Sequence, residues 1–217
     1  MKSKTTAYGR FAKVYDFLSS LYSFGGISKL KKLQSNSINP GESILFAGAG
    51  GAEDAVLAAI KGASVVVVEI SSEMIEQAKL RTKKSGTDLN IQFICDDIMN
   101  YRSIEKFDRI YCNFFLNVFE VNTVPKVVNH LLESLRGGGQ FIIGDFAHSQ
   151  GNTIQLLFQK IYFGLAAFFF VLTARNPVHR LYNYQSICRS LNVELKKIEV
   201  IKIFNFNAFM SLTFKKK

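Results

Sequence analysis

The chain has 217 residues, of which 48% are hydrophobic and 20% are charged, which suits a single globular domain with a large core. Its three cysteines show neither metal-ligand spacing nor a disulfide pattern, and its N-terminus lacks the apolar stretch of a secretory signal. These features argue against a disulfide-stapled secreted protein, and we expect a protein of the reducing cytoplasm.

The net charge of +10 is unevenly distributed along the chain. Residues 1–40 carry a net charge of +6, residues 41–145 carry −4 and residues 146–217 carry +8. Nucleic acid, an anionic membrane surface and plain solvation of lysine tails such as Lys215–Lys217 would each explain the basic flanks. We favour the membrane surface, at the inner face of a membrane, because the C-terminal flank is also the most hydrophobic part.

Predicted elements alternate between helix and strand. Residues 10–34 have helical spacing broken at Gly25-Gly26, which predicts two short helices, and a turn follows at 38–41. Strands are predicted at 43–48, 64–69, 91–95, 108–114 and 139–146, and helices at 52–61, 72–84, 124–136 and 153–172. The last residues predict an antiparallel pair, 193–203 and 206–214. This order predicts an α/β fold: a Rossmann-like, doubly wound sheet of seven strands, mostly parallel, with an antiparallel C-terminal edge strand.

Two of the predicted helices have distinctive sequences. The helix at 124–136 has one apolar stripe, Pro125 in its first turn and Gly137 at its C-terminal end. The run 161–174 is apolar but only 14 residues long, whereas a membrane span needs roughly 20 residues. We therefore interpret this run as a buried helix or an interfacial helix, with neither alternative preferred.

The glycine-rich turn after the first strand indicates a cofactor site. Gly48, Ala49 and Gly50 supply the first part of a dinucleotide-binding fingerprint, but Glu53 stands where the third glycine belongs, followed by Asp54. Acids in the first turn of a helix suit its dipole and disfavour a pyrophosphate there. A cofactor with an adenosine, no phosphate and a positive centre fits this loop, and S-adenosylmethionine (SAM) is such a cofactor.

Acidic and polar residues at the ends of the next strands extend this site. Glu69 ends the second strand, 21 positions after Gly48, where an acid binds ribose hydroxyls, and Ile70 beside it could line the adenine. Asp96 and Asp97 follow the third strand, and one of them would take the adenine amino group unless both only cap a turn. Asn113 ends the fourth strand, near the expected position of the methyl donor.

These residues resemble those of class I SAM-dependent methyltransferases, over roughly residues 43–146. More narrowly, the chain resembles the ubiquinone/menaquinone biosynthesis C-methyltransferases and the related phospholipid N-methyltransferases. The matching segments are Val14–Leu18 with Ser23–Gly25, Glu69–Ser71 with Met74, Asn117-Val118, Gly137–Gly139 with Phe141–Phe146, and Tyr182–Ile187.

The resemblance implies a set of cofactor contacts and a division of the chain. The expected contacts are Tyr15, Gly48, Ala49, Gly50, Glu69, Ile70, Met74, Asp96, Asp97, Ile98 and Asn113, with no metal ligand. The single domain 1–217 would comprise an N-terminal helical cap (1–40), a SAM-binding core (43–146), a helical acceptor-side segment (147–190) and C-terminal strands (191–217). Phe46 stands where the family has an acid that helps to hold the methionine ammonium, and Glu53, Asp54, Asp16 or Tyr15 would have to compensate.

The expected reaction is methyl transfer to a lipophilic small molecule, such as a quinone precursor or a lipid, because residues 158–184 are rich in aromatic side chains. His148, after the fifth strand, is the best candidate for a general base, although a surface role explains it equally well. His130 fits a structural role, and His179 stays open between a substrate contact and a loop residue.

Two alternatives remain at this point. Phe46 favours a non-catalytic or weakly SAM-binding methyltransferase-like subunit. The basic charge favours an RNA methyltransferase, but the fourth strand ends in Asn113-Phe114-Phe115-Leu116 and lacks the N-P-P-Y-type tetrapeptide, so nucleic acid is the least favoured partner.

Overall fold

The structure is a computed structural model that describes residues 23–86, 88–148 and 181–217, together with Leu156 and Gly164. Its strands are β1 (Ser43–Ala47), β2 (Ser64–Glu69), β3 (Ile91–Cys95), β4 (Phe107–Asn113), β5 (Leu135–Phe146), β6 (Val193–Ile203) and β7 (Phe206–Lys216). Its helices are α1 (Gly26–Ser35), α2 (Glu53–Ile60), α3 (Ser72–Lys84), α4 (Val124–Glu133) and α5 (Tyr184–Arg189), with a short 3₁₀ turn at Leu116–Val118.

The seven strands form one sheet in the order β3-β2-β1-β4-β5-β7-β6. Strands β1 to β5 are parallel, while β7 runs antiparallel to both β5 and β6. The predicted seven-stranded, mostly parallel fold with antiparallel C-terminal strands is therefore confirmed. The structure adds that β7 is inserted beside β5, so β6 lies at the edge and runs in the same direction as β1 to β5.

Helices cover both faces of the sheet. On one face α1, α2 and α3 pack in sequence, above a core that includes Phe46, Val67 and Tyr111. On the other face α4 and α5 pack on β5 and β6, above a core that includes Leu131, Phe141 and Leu212. Because helices cover both faces of the sheet, side chains on both sides of β2 are apolar, and its sequence is a continuous run of valines.

Two adjoining element boundaries differ most from the sequence prediction. Helix α4 ends at Glu133 with Ser134 as its C-cap, rather than at residue 136 before Gly137. The chain enters β5 already at Leu135, which is buried and pairs with Phe107 before the register shifts. Burial of Leu135 in the sheet thus ends the helix before the glycines do.

Helix α5 was not among the predicted elements. It is a short helix whose N-cap is Asn183, and the Asn183 side chain accepts a 3.0 Å hydrogen bond from the Ser186 amide. Such a cap is a sequence signal for a helix start. The predicted first helix of residues 10–34 lies outside the described residues, as does the helix at 153–172 apart from Leu156 and Gly164.

No helix within the described residues is both long and apolar enough to cross a membrane. The carboxyl ends of β1 to β4 converge at one end of the sheet, and the turns that follow them form the crevice in which such folds bind ligands. The candidate site lies at this end.

Candidate cofactor site

The turn between β1 and α2 carries three residues with left-handed backbone: Gly48 at φ +64°, Gly50 at +52° and Ala52 at +53°. A Cβ atom added at Gly48 would overlap the ring of Phe115, whereas one at Gly50 would meet nothing within 4 Å in the described part of the chain. Gly48 is therefore required by packing, and Gly50 leaves its backbone open to a ligand.

Glu69 joins this turn to the end of β2. Its Oε2 atom accepts a 3.0 Å hydrogen bond from the Gly50 amide, and its Oε1 atom accepts one of 3.0 Å from the Ser71 amide. Burial raises the pKa of the Glu69 carboxyl above its ordinary value, although these amide donors oppose the effect. Glu69 and the glycine loop, which the sequence assigns to one cofactor site, are therefore in direct contact, and the ribose contact of Glu69 stays a prediction.

The turn after β3 lies next to Glu69, since the Asp96 amide donates to the Glu69 carbonyl oxygen at 3.2 Å. Asp96 Oδ1 accepts from the Asp97 amide at 2.7 Å, and Asp97 Oδ1 accepts from the Met99 amide at 2.9 Å. Both carboxylates therefore stabilise the turn, as the capping alternative expects. Both are also exposed at the crevice, so a contact with a ligand stays a prediction.

The remaining apolar candidates for cofactor contacts differ in their exposure to solvent. Ile70 is 63% exposed beside Glu69, where an adenine ring could cover it. Met74 and Ile98 are each 4% exposed and belong to the core around the site. The Ile98 carbonyl oxygen lies 2.8 Å from Nε2 of His130, which is buried, in agreement with the structural role expected for that histidine.

Asn113 ends β4 at the crevice, where its side chain is hydrogen-bonded to other side chains of the protein, and its contact with a ligand stays a prediction. It exchanges amide hydrogen bonds with Gln34 of α1, at 2.8 and 3.0 Å, and its Nδ2 atom also donates to Asp54 Oδ2 at 2.8 Å. Gln34 in turn donates to Ser211 Oγ at 3.0 Å. The Asn113 side chain therefore belongs to a polar network on the α1 face of the sheet, in which Gln34 and Asp54 contact it directly and Ser211 contacts Gln34.

Phe46 is buried and stacks on Tyr111, with ring centroids 4.8 Å apart and an angle of 10° between the rings. Burial raises the pKa of the Tyr111 hydroxyl to about 12. The buried carboxylate of Asp54 lies on the same face of the sheet. Its Oδ2 atom accepts the hydrogen bond from Asn113, which lies two residues after Tyr111 in β4, and its Oδ1 atom lies 3.6 Å from Lys31 Nζ. Of the residues proposed to compensate for Phe46, Asp16 and Tyr15 lie outside the described residues.

The end of β5 contains a second buried network, which sequence reasoning did not assemble. Asp145 accepts hydrogen bonds from Tyr184 Oη, from Asn117 Nδ2 at 2.7 Å and from the Phe146 amide at 2.7 Å. Burial raises the pKa of the Asp145 carboxyl to about 6, although all three donors lower it. The segments of Asn117 and Tyr184, singled out by family resemblance, thus meet at one carboxylate.

His148, the predicted general base, is exposed, and its Nε2 atom lies 3.0 Å from the Tyr182 carbonyl oxygen. Because a carbonyl oxygen only accepts, Nε2 carries the proton and only Nδ1 remains to act as a base. Tyr182 Oη donates to the Phe119 carbonyl oxygen at 2.7 Å, so this histidine also helps to fix residues 181–184 beside the crevice. His179 lies outside the described residues.

Comparison with known proteins shows which family this part of the chain resembles. Residues 44–139 match the family model Methyltransf_25, described as a methyltransferase domain. This part of the chain is a class I SAM-dependent methyltransferase domain. It is similar to the carboxy-S-adenosyl-L-methionine synthase of Hydrogenovibrio crunogenus, with 27% identity over 95 residues, which is 44% of this chain and 38% of that protein. It is also similar to malonyl-[acyl-carrier protein] O-methyltransferase 1 of Ilyobacter polytropus, with 28% identity over 93 residues, 43% of this chain and 33% of that protein.

Solved structures share the fold of this methyltransferase domain over most of the chain. Magnesium protoporphyrin IX methyltransferase from Synechocystis, with bound S-adenosylhomocysteine (SAH), superposes with a TM-score of 0.63 at 19% identity, over 88% of this chain and 81% of that one. The 1,6-didemethyltoxoflavin-N1-methyltransferase of Burkholderia thailandensis, also with SAH, gives 0.64 at 14% identity, over 100% and 92%. SAM is the cofactor of this fold, and the open Gly50 backbone with the Glu69 carboxylate beside it fits that cofactor.

Proposed function

We propose that this chain is a cytoplasmic SAM-dependent methyltransferase that acts on a lipophilic small molecule, of the quinone-precursor or lipid type. The observation that carries the cofactor assignment is the contact between Glu69 and the Gly50 amide. It holds a carboxylate for the ribose hydroxyls beside a loop that leaves its backbone open.

The residues that would hold SAM have separate tasks. Glu69 would accept hydrogen bonds from the ribose, Ile70 would cover the adenine, and an exposed carboxylate of Asp96 or Asp97 would take the adenine amino group. The bound sulfonium would supply the methyl group, in an in-line displacement that forms a bond from acceptor to methyl and leaves SAH. The chain then contributes mainly alignment and the exclusion of water.

The lipophilic acceptor is supported by an aromatic cluster at the ends of β4, β5 and β7. Phe114 lies 5.4 Å from Phe146 and 5.7 Å from Phe209, measured between ring centroids, and Phe146 lies 5.7 Å from Phe209. Phe114 follows Asn113 directly and so lies beside the crevice. Phe146 and Phe209 are buried in the core, so the partly buried Phe114 would be the ring of this cluster that meets an acceptor. An apolar ring at this place would favour a hydrophobic acceptor over a sugar or a nucleic acid base.

The basic flanks further suggest that the enzyme works at an anionic membrane surface, where such acceptors are concentrated. Among the relatives, the malonyl-[acyl-carrier protein] O-methyltransferase is named for an acyl carrier substrate and the Synechocystis enzyme for a porphyrin. These names are compatible with a hydrophobic acceptor but do not identify a particular acceptor molecule.

The proposal is tested in two stages. Calorimetry with SAH is expected to show micromolar to submillimolar binding, and absence of binding at millimolar concentration would refute the cofactor assignment. Transfer of labelled methyl groups from SAM is then measured with quinol, phospholipid and RNA acceptors. Label in the organic phase is expected, and label in RNA would contradict the proposed acceptor class.

A second candidate, a methyltransferase-like subunit without catalytic activity, is favoured by Phe46, which fills the family's acid position with a buried ring. It predicts SAH binding that is weak or absent, and no methyl transfer to any acceptor. The same two measurements therefore distinguish the two candidates.

A further inference from the structure

Two exposed phenylalanine side chains contact each other at one corner of the molecule. Phe24, just before α1, is 64% exposed, and Phe204, in the turn between β6 and β7, is 72% exposed. Their ring centroids are 4.9 Å apart, with the rings at 79°. A pair of large apolar rings left in water gains little from folding, so it calls for an explanation.

Both residues also have unfavourable backbone conformations. Phe24 and Phe204 each have a φ of +46°, in the left-handed region that bulky side chains rarely adopt, and Asn205 follows at +66°. Glycine or asparagine would fill these positions at lower cost. Strained residues that persist in a fold are typical of functional sites, so strain and exposure point to the same corner.

The corner lies at the cofactor end of the sheet. Strand β6 runs in the same direction as β5, so Phe204 lies at the carboxyl ends of the parallel strands, as the glycine loop does. The order β4-β5-β7-β6 places it three strand spacings, or about 14 Å, from the end of β4. The start of α1 packs there, because a Cβ at Gly26 would lie 2.7 Å from the Phe209 ring.

The two segments that form this corner are positively charged, and one of their lysines, Lys31, is paired with Glu53 and Asp54 of α2. Residues 23–35 and 200–208 contain four lysines and no acidic residue. Three of these lysines, Lys29, Lys32 and Lys202, are exposed. Apolar rings that protrude among lysines are typical of proteins that bind the interface of an anionic bilayer, whereas a stable protein partner would need a surface of roughly 1,200–2,000 Å².

We infer that Phe24 and Phe204 form an interfacial anchor that binds an anionic lipid bilayer and directs the crevice towards it. The anchor gives the proposed function a route for a lipophilic acceptor, but its test does not depend on methyl transfer. The occupant is the bilayer itself, with the rings among the acyl chains and the lysines at the headgroups.

The test is sedimentation with vesicles of phosphatidylcholine alone or with 30% phosphatidylglycerol. The wild-type chain is expected to bind the anionic vesicles, and Phe24→Asn with Phe204→Asn should weaken that binding by about tenfold or more. Ile104→Asn is the matched control: it removes a fully exposed apolar side chain from the turn before β4, at the opposite end of the sheet, and should leave binding unchanged. The inferred anchor would be refuted if the wild-type protein does not bind anionic vesicles, or if the double variant binds them as well as the wild type does.

Two further variants keep the test decisive if the double variant fails to fold. Lys29→Gln with Lys202→Gln should reduce the preference for anionic vesicles several-fold, and an unchanged preference would contradict the inference. The chain contains no tryptophan, so Phe204→Trp provides a single fluorescent probe. Its emission should shift to the blue with anionic vesicles, and an unchanged spectrum on vesicle-bound protein would refute the assigned contact.

Other occupants and the proposed function are tested separately. If the wild-type chain forms dimers that the double variant loses, without vesicle binding, the corner is a contact between copies and the anchor is refuted. SAH affinity measured in both variants should equal that of wild type. A chain that binds vesicles but not SAH would refute the proposed function and support the anchor.

Discussion

Replacing the buried Asp145 carboxylate is expected to change stability in a pH-dependent manner. In the folded chain Asp145 is 1% exposed, and it accepts hydrogen bonds from Tyr184, Asn117 and the Phe146 amide. Asp145→Asn retains an oxygen for the last two donors but leaves the Tyr184 hydroxyl without its acceptor. The substitution therefore has a roughly constant cost from the lost hydrogen bond and a variable gain from the removed charge.

The size of the variable part follows from the pKa. The carboxyl has a pKa of about 6 in the folded chain against 3.8 for the ordinary group, so above pH 6 its ionised form costs the folded state about 3 kcal/mol. Below pH 6 the folded chain takes up a proton before the unfolded chain does, so stability rises as the pH falls towards 4. The wild type should therefore gain about 2 kcal/mol over Asp145→Asn between pH 7 and pH 4.5.

Urea denaturation of both proteins at pH 7 and pH 4.5 measures this difference. An effect of Asp145→Asn that is equal at the two pH values would refute the buried, ionising carboxylate. Tyr184→Phe is a useful second variant, because the Tyr184 hydroxyl lowers the Asp145 pKa and its removal should raise that pKa above 6. The pH range over which stability changes should then move upward.

The remaining predictions concern the cofactor loop and the exposed corner. Glu69→Gln can still accept the Gly50 amide but loses its charge, so SAH affinity in calorimetry should fall about tenfold, and unchanged affinity would contradict a ribose contact. Gly48→Ala places a Cβ at φ +64° against the Phe115 ring and should lower the free energy of unfolding by about 2–4 kcal/mol, a loss that Phe115→Ala in the same chain should partly relieve. Phe204→Asn relieves a left-handed backbone at an exposed site and should raise that free energy by up to about 1 kcal/mol, as measured by thermal or urea denaturation.

Most of the fold is encoded locally, which is why the sequence predicts it. The alternation of valine-rich strands with amphipathic helices predicts β2, α3 and β3 with the bounds that the structure shows. The position of β7 between β5 and β6 does not follow from periodicity, because the hydrophobic pattern of an antiparallel pair is the same whichever of its two strands lies at the sheet edge. Helix α5 is only six residues long and gives too weak a pattern to stand out.

The contacts of the candidate site are likewise predictable from the sequence only where they are local. Glu69 ends β2 and Gly50 lies in the turn after β1, 19 residues apart in one βαβ unit, so their contact follows from the motif. The hydrogen bonds of Gln34 to Asn113 and Ser211 span 79 and 177 residues. Their formation depends on how α1 lies across the sheet, which short-range patterns do not determine. The sequence therefore predicts the position of Asn113 at the end of β4, but not the polar network that holds its side chain.

The exchange of the family's strand acid for Phe46 has a physical rationale in this chain. An acid at position 46 would lie in the core against the Tyr111 ring, where an ionised carboxylate needs a partner. Phe46 removes that cost and gains a stacking contact. The nearby carboxylate of Asp54 lies instead in the first turn of α2, where it accepts a hydrogen bond from the Asn113 amide and lies 3.6 Å from the Lys31 ammonium. The acidic side chain near Phe46 is therefore carried by α2 and contacted from β4 and α1, rather than carried by β1.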